Sequence, residues 1–109
     1  MEKELIEIIK AEAWVDKQPI QPTPGGTLHV AVEMNGNGRR ASLVRKNPQG
    51  INPAILMLEI ILSITTEYVE NPQQLKYKEG LQTSNQYTSI EIYFKAEKLA
   101  EITDIQVVH

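Results

Sequence analysis

Residues 51 to 70 read INPAILMLEIILSITTEYVE, and this stretch holds the longest apolar run of the chain. Asn52 followed by Pro53 suits a helix N-cap with proline in the first helical turn. Asn71 and Pro72 suit a helix end, because proline disfavours helical geometry in the residue before it. The polar positions recur at spacings typical of one helical stripe: Asn52, Glu59, Ser63, Thr66 and Glu70. The pattern predicts one long helix around residues 52–70.

The apolar arc of this predicted helix is wider than one side of a small sheet normally covers. Either both flanks of the helix are buried within the domain, or part of it meets another chain. The candidate contact residues are Ile55, Leu56, Met57, Ile60 and Ile64. Because Leu56 interrupts the polar stripe, Leu56→Glu is expected to be nearly neutral if this side chain faces solvent. If it faces a partner, the substitution is expected to dissociate the oligomer without unfolding the monomer.

Upstream of the apolar run, two alternating segments flank the sequence Asn-Gly-Asn-Gly at residues 35–38. Asn-Gly pairs supply the positive φ that tight hairpin turns require. The pattern therefore predicts a β-hairpin around residues 27–46. The length of its loop, and with it the register of the two strands, stays open.

Downstream of the apolar run, an alternation typical of a strand covered on one side places Ile90, Ile92 and Phe94 between Glu91, Tyr93 and Lys95. This alternation predicts a strand around residues 88–95. A second strand is expected around residues 102–108.

The opening segment, residues 2–15, is compatible with helix and with strand, and its composition favours a helix that gives way to extended chain near Ala11. Hairpins before and after one long helix define an α+β fold class. In this fold an antiparallel sheet of about four to six strands packs on the helix.

Composition bounds the classes of protein to which the chain can belong. Its 109 residues, 41% hydrophobic and 23% charged, predict a single compact domain over residues 1–109. The absence of cysteine excludes disulfide scaffolds, thiol nucleophiles and zinc-cysteine sites. The first residues lack the pattern of a secretory signal, and the longest apolar run is shorter than the roughly 18 residues of a membrane helix. A cytoplasmic protein with no membrane contact is expected.

His29 is the one histidine that could act as a base or metal ligand within the chain, since His109 is the last residue. Neither metal-ligand spacing nor a nucleophile elbow accompanies it. No catalytic, cofactor or metal residue is assigned. A hydrolytic or metal-dependent enzyme centred on His29 is kept as a second alternative, and it requires a concave pocket around this side chain.

A local excess of positive charge marks the segment around residues 37–46. Its four cations, with no acid between them, are Arg39, Arg40, Arg45 and Lys46. On a chain with a net charge of −3, a basic hairpin could engage phosphates, and nucleic-acid binding is the first alternative. The preferred hypothesis is a small non-catalytic protein-association module whose partner is a second copy of itself or another protein.

Overall fold

The computed structural model describes residues 6–20, 22–64 and 68–109, and within these ranges the chain forms strands and no helix. In chain order the strands are β1 (Glu7–Asp16), β2 (Thr27–Asn35), β3 (Ala41–Arg45), β4 (Ile55–Leu62), β5 (Gln73–Gly80), β6 (Ser89–Phe94), β7 (Glu97–Ile102) and β8 (Ile105–Val108). They form two four-stranded sheets, with strand orders β5-β2-β1-β8 and β3-β4-β6-β7.

The two sheets pack with their inner faces together, because burial alternates along their strands. The buried set in the first sheet includes Val15, Leu28, Val30, Val32, Met34 and Leu75. In the second it includes Leu43, Leu56, Leu58, Ile60, Ile90 and Ile92. This period of two is the geometry of a β-strand, whose side chains point alternately to opposite faces. Both sets belong to one cluster of buried apolar residues, so the protein is a β-sandwich.

The predicted helix over residues 52–70 is wrong. Residues 55–62 form β4, which lies between β3 and β6 and is hydrogen-bonded to both. Asn52 does not cap a helix; its backbone and side-chain oxygens accept bonds from Ile55 N and Ala54 N, which turns the chain into the strand. Residues 65–67 of the predicted helix lie outside the described residues.

A short apolar run fits a buried strand as well as a buried helix, which explains the error. Residues 68–70, where the described chain resumes, have no helical structure. None of the described ranges holds a helix with the length and apolar character that crossing a membrane takes.

The predicted hairpin around residues 27–46 is wrong in its pairing. Both alternating segments are strands, but β2 pairs with β1 and β5, whereas β3 pairs with β4 in the other sheet. The turn chemistry is present, because Asn37 and Gly38 have φ of 56° and 79° and Arg39 N donates to Gly36 O at 3.1 Å. The turn carries the chain from one sheet to the other instead of folding it back.

Residues before and within β5 hold this crossover in place. Asn71 Oδ1 accepts a bond from Gly36 N at 2.9 Å, and the buried Gln73 accepts one from Ala41 N at 3.0 Å through Oε1. A Cβ at Gly38 would lie 2.8 Å from the Tyr68 ring. Because position 38 combines positive φ with this close approach, glycine fits it best.

The described part of the opening segment is strand β1 and not a helix, and residues 2–5 lie outside the described residues. The expected antiparallel sheet is also wrong, since each sheet is mixed: β1 runs parallel to β8, and β4 runs parallel to β6. Distant parts of the chain therefore complete each sheet. The α+β class, which required the helix, is replaced by an all-β architecture.

The C-terminal part of the chain forms three strands where two were predicted. β6 lies within the strand expected at residues 88–95. The strand expected at residues 102–108 is divided, because β7 ends at Ile102 and β8 begins at Ile105 in the opposite sheet. β7 and β8 are thus edge strands of different sheets.

Candidate functional site

The outer face of the β3-β4-β6-β7 sheet carries exposed apolar side chains among charged ones. One row of residues crosses all four strands in register: Val44, Glu59, Tyr93 and Lys98. Met57 and Ile61 lie on either side of Glu59 along β4. We call this surface, formed by Val44, Lys46, Met57, Glu59, Ile61 and Tyr93, the β4 face.

Two aliphatic side chains of the β4 face are open to solvent. Val44 is 39% exposed and Ile61 is 44% exposed, although both belong to regular strands. Met57 is partly buried; it is opposite Glu91 of β6, and its carbonyl oxygen accepts a bond from Lys46 N, just after the end of β3. Single exposed aliphatic residues are common on protein surfaces; here Val44 and Ile61 lie on paired strands of the same face.

Ionic contacts order one side of this face. Tyr93 Oη donates a hydrogen bond to Glu91 Oε1 at 2.8 Å, and this bond raises the pKa of Tyr93. Lys98 Nζ lies 3.4 Å from Glu91 Oε2 and 3.9 Å from Glu101 Oε1. Since Glu91 and Glu101 are directly opposite each other in the ladder, the Lys98 ammonium offsets their repulsion.

Two further charges on the β4 face have no oppositely charged partner among the described residues. Glu59 is partly buried between Val44 and Tyr93, and no hydrogen bond or ion pair engages its carboxylate. Lys46 Nζ lies 5.6 Å from the centroid of the Tyr93 ring, a cation–π contact without a carboxylate. The face therefore presents one acid and one base that form no close ion pair among the described residues.

The five residues proposed for association divide between the core and the surface. Leu56 and Ile60 are 0% and 1% exposed and fill the core. Ile55 and Met57 are partly buried on the outer side of β4, and Ile64 follows the strand with 93% of its surface exposed. The strand brings Ile55 and Met57 to one face and turns Leu56 and Ile60 to the other.

The four cations of residues 39–46 do not form one basic surface. Arg39 donates through Nε and Nη2 to Ser63 O at 3.1 and 2.7 Å. Arg45 pairs with Glu79, Lys46 lies over Tyr93, and Arg40 is exposed. Since these residues follow a crossover between sheets, the basic hairpin that the nucleic-acid alternative needs is absent from the described structure.

Arg45 belongs to a cluster that joins the two sheets at the β3 and β5 edges. Its Nη1 lies 2.7 Å from Glu79 Oε1 and 3.2 Å from Tyr87 Oη. Glu79 also accepts hydrogen bonds from Tyr77, at 2.6 Å, and from Tyr87. Burial, followed by the hydrogen bond to Glu79, raises the pKa of Tyr77 to about 12 and also raises that of Tyr87.

This cluster predicts a loss of stability at high pH. The ordinary pKa of tyrosine is 10.0, and folding raises that of Tyr77 to about 12. The folded state therefore favours the protonated phenol. Its contribution to the free energy of unfolding is complete below pH 10.0 and is lost as the pH rises through about 12. We expect Tyr77→Phe to reduce the fall in unfolding free energy over this range by about 1 kcal/mol, since solvent screens the site. Urea unfolding at a series of pH values measures the unfolding free energy of both proteins. An identical fall in unfolding free energy with pH for the wild type and Tyr77→Phe would contradict the prediction.

His29 lies on the outer face of the other sheet. Its ring stacks on that of Trp14, and none of the described serines or carboxylates forms a hydrogen bond with it. Among the described residues, no group of three or more histidine, aspartate or glutamate side chains is arranged to hold a metal ion. The surroundings of His29 are aromatic and aliphatic, with two lysines nearby.

Sequence reasoning missed Glu59 and Glu79 as site residues. Glu59 fitted the polar stripe of a helix, and as a member of a carboxylate pair it did not stand out from the other acids of the chain. Glu79 is 34 residues from Arg45 along the chain, and only the packing of β3 against β5 brings them together. A signal for Glu59 was present, since it is the single charged residue in the apolar run of residues 54–64.

No protein-family model matches this chain, and no curated protein and no solved structure matches it.

Proposed function

We propose that the protein is a non-catalytic association module that pairs with a second copy of itself through the β4 face. The observation that carries the proposal is the pairing of exposed aliphatic side chains, Val44 and Ile61, with two charges that have no oppositely charged partner. The wide apolar arc of a helix over residues 52–70 no longer supports association, because residues 55–62 form strand β4. The outer side of the same stretch of chain now supports the proposal.

The apolar part of the proposed contact comes from two paired strands. Ile61 and Met57 are two of the outward-facing residues of β4, and Val44 projects from the neighbouring edge strand β3. Removing these side chains from water favours association in proportion to the apolar area that is covered. Glu59 lies among the aliphatic side chains of Val44, Met57 and Ile61, so an interface that covers them must also satisfy this carboxylate.

The charges favour a second copy over an unrelated partner. In a twofold symmetric pair the same surface is used by both molecules, and each contact between different residues occurs twice. A face that presents one acid, Glu59, and one base, Lys46, can therefore satisfy both when it meets itself. Covering Glu59 without such a partner would be costly, because a carboxylate removed from water needs a counter-charge.

Substitution of Ile61 tests the apolar part of this proposal. We expect Ile61→Glu to shift the protein from dimer to monomer, since each contact would then bring an extra carboxylate into the centre of the interface twice. Sedimentation equilibrium over a range of protein concentrations gives the mass. Ile51→Glu is the matched control, because Ile51 is fully exposed in a loop outside the β4 face. Wild-type protein that stays monomeric at every concentration would refute the proposal.

Exchange of the two charges tests the symmetric pairing. Glu59→Lys and Lys46→Glu should each weaken dimerisation by about tenfold or more, because like charges then face each other. The double variant restores opposite charges across the interface and should recover most of the affinity. If the double variant is weaker than either single variant, Glu59 and Lys46 do not meet across a twofold axis.

The compartment that we propose for this association is the cytoplasm. The fold is held by apolar packing and ion pairs and has no cysteine, which is compatible with a reducing compartment. Fractionation of cells that express the chain tests this location.

A further inference from the structure

The outer face of the β5-β2-β1-β8 sheet carries a depression that the proposed dimer does not use. It has a volume of about 270 Å³ and is lined by Trp14, His29, Ala31, Lys76 and Lys78, with Val30 and Tyr77 at its floor. We call this depression the His29 slot. We propose that the His29 slot binds one nucleotide unit, with the base against the aromatic rings and the phosphate at the two lysines.

The aromatic side of the slot is fixed by strand pairing. Trp14 on β1 and His29 on β2 are direct partners in the ladder. Their chain neighbours Val15 and Leu28 are buried, so Trp14 and His29 project outward. The two rings stack with centroids 5.3 Å apart and planes 10° apart. A pair of rings held parallel on a sheet is a surface on which a further flat ring can stack.

The space beside the rings comes from a small side chain. Ala31 follows His29 on the same face of β2 and is paired with Lys76. Its methyl group leaves the sheet uncovered where the neighbouring positions carry long side chains. The resulting volume lies just below the usual range of small-molecule sites, which begins at about 300 Å³. It suits one base or one nucleotide rather than a large cofactor.

The basic side of the slot is formed by two lysines of β5. Lys78 is opposite His29 and Lys76 is opposite Ala31, so both ammonium groups lie on the same face as the rings. Neither forms an ion pair within the described ranges, and both side chains are exposed. Two acids lie beside the slot without lining it: Glu12 on β1 is opposite Ala31 and 3.9 Å from Lys10 Nζ, and Glu33 is opposite Lys10 and Gln74.

Flat rings and adjacent ammonium groups together select the class of ligand. Stacking on aromatic side chains is tolerant of base identity, and lysines bind phosphate through charge and hydrogen bonds. A neutral sugar would leave the charges of both lysines unused, and a simple carboxylate would leave the rings unused. A nucleotide supplies a flat ring and an anion, whether it is free or part of a single strand.

The His29 slot is separate from residues 37–46, the basic segment whose sequence suggested nucleic-acid binding. Arg39 and Arg45 are engaged by Ser63 O and Glu79, whereas Lys76 and Lys78 have no such partner among the described residues. The single tryptophan of the chain lies in the slot. Its fluorescence therefore reports on this site alone.

Tryptophan fluorescence, excited at the red edge of the indole band, is the experiment. Thymidine monophosphate, single-stranded oligodeoxythymidylate and uncharged thymidine are titrated into the full chain. We expect a saturable change in emission with the monophosphate, with the oligonucleotide or with both, and much weaker binding of thymidine. Binding of both phosphorylated probes identifies a mononucleotide site, and binding of the oligonucleotide alone identifies a strand-binding site. No change with either would overturn the proposal.

Variants locate the bound ligand. Ala31→Leu fills the slot without changing charge and should reduce affinity at least tenfold, and His29→Ala should do the same by removing a stacking surface. Lys76→Gln and Lys78→Gln should each lower the slope of log affinity against log salt for the oligonucleotide by about 0.7. Lys98→Gln on the opposite sheet is the charge-matched control. Thermal melting confirms that each variant is folded, and unchanged affinity in folded Ala31→Leu and Lys76→Gln proteins would show that the ligand binds elsewhere.

Discussion

Leu56→Glu should unfold the protein, whereas Ile61→Glu on the same strand should leave it folded. Leu56 has no exposed surface and lies in the core between the two sheets, while Ile61 is 44% exposed on the β4 face. Replacing a buried leucine removes about 2–5 kcal/mol of packing free energy. An unpaired carboxylate at that position costs several kcal/mol more. The sum approaches the roughly 5–15 kcal/mol that stabilises a typical domain.

This result would differ from what the helix hypothesis predicts for Leu56. There, a solvent-facing Leu56 makes the substitution nearly neutral, and a partner-facing one makes it dissociate the oligomer. Far-ultraviolet circular dichroism and urea unfolding of the two variants distinguish the cases. A folded, cooperative Leu56→Glu protein would show that the core is not where the structure has it.

The second large effect is expected at Glu79, the acceptor that holds the Arg45 cluster together. Glu79→Gln keeps the size of the side chain but removes its charge and turns an amide donor toward Arg45 or a tyrosine. The native carboxylate accepts bonds from Arg45, Tyr77 and Tyr87, and its side chain is only 18% exposed. We expect a loss of about 2–3 kcal/mol in unfolding free energy, since hydrogen bonds to charged groups contribute about 1.5–3 kcal/mol.

A matched control separates this effect from general loss of negative charge. Glu101→Gln removes a carboxylate that is 43% exposed and lies 3.9 Å from Lys98, so it should cost less than about 1 kcal/mol. Denaturant unfolding at neutral pH compares the two. Equal stability of the Glu79 and Glu101 variants would mean that the cluster adds little to the cohesion of the two sheets.

Local alternation predicted β6 because its two faces differ. Ile90 and Ile92 are buried, and Glu91 between them faces outward. β4 lacks this contrast, since Ile55, Met57 and Ile61 on its outer face are as apolar as the residues that fill the core. With one glutamate in the strand, the spacing of polar residues matched a helix by coincidence.

Pairing between strands could not be inferred from neighbouring sequence. The Asn-Gly turn at residues 35–38 has the backbone conformation that its sequence indicates. Yet β2 is already paired on both sides, with β1 and β5, so β3 joins the other sheet. The same limit applies to the candidate sites. The His29 slot needs β5 beside β2, and the Arg45 cluster needs β5 beside β3, and both contacts join segments that are far apart in the chain.

A thiol-labelling scan of residues 55–62 tests the central claim, that this stretch is a strand with one face in the core and the other available for association. The chain has no cysteine, so single cysteine variants can be labelled one at a time. We expect fast labelling at positions 55, 57, 59 and 61 and slow labelling at 56, 58 and 60, with position 61 becoming protected as protein concentration rises. Protection that recurs every three or four residues would instead establish a helix and contradict the account.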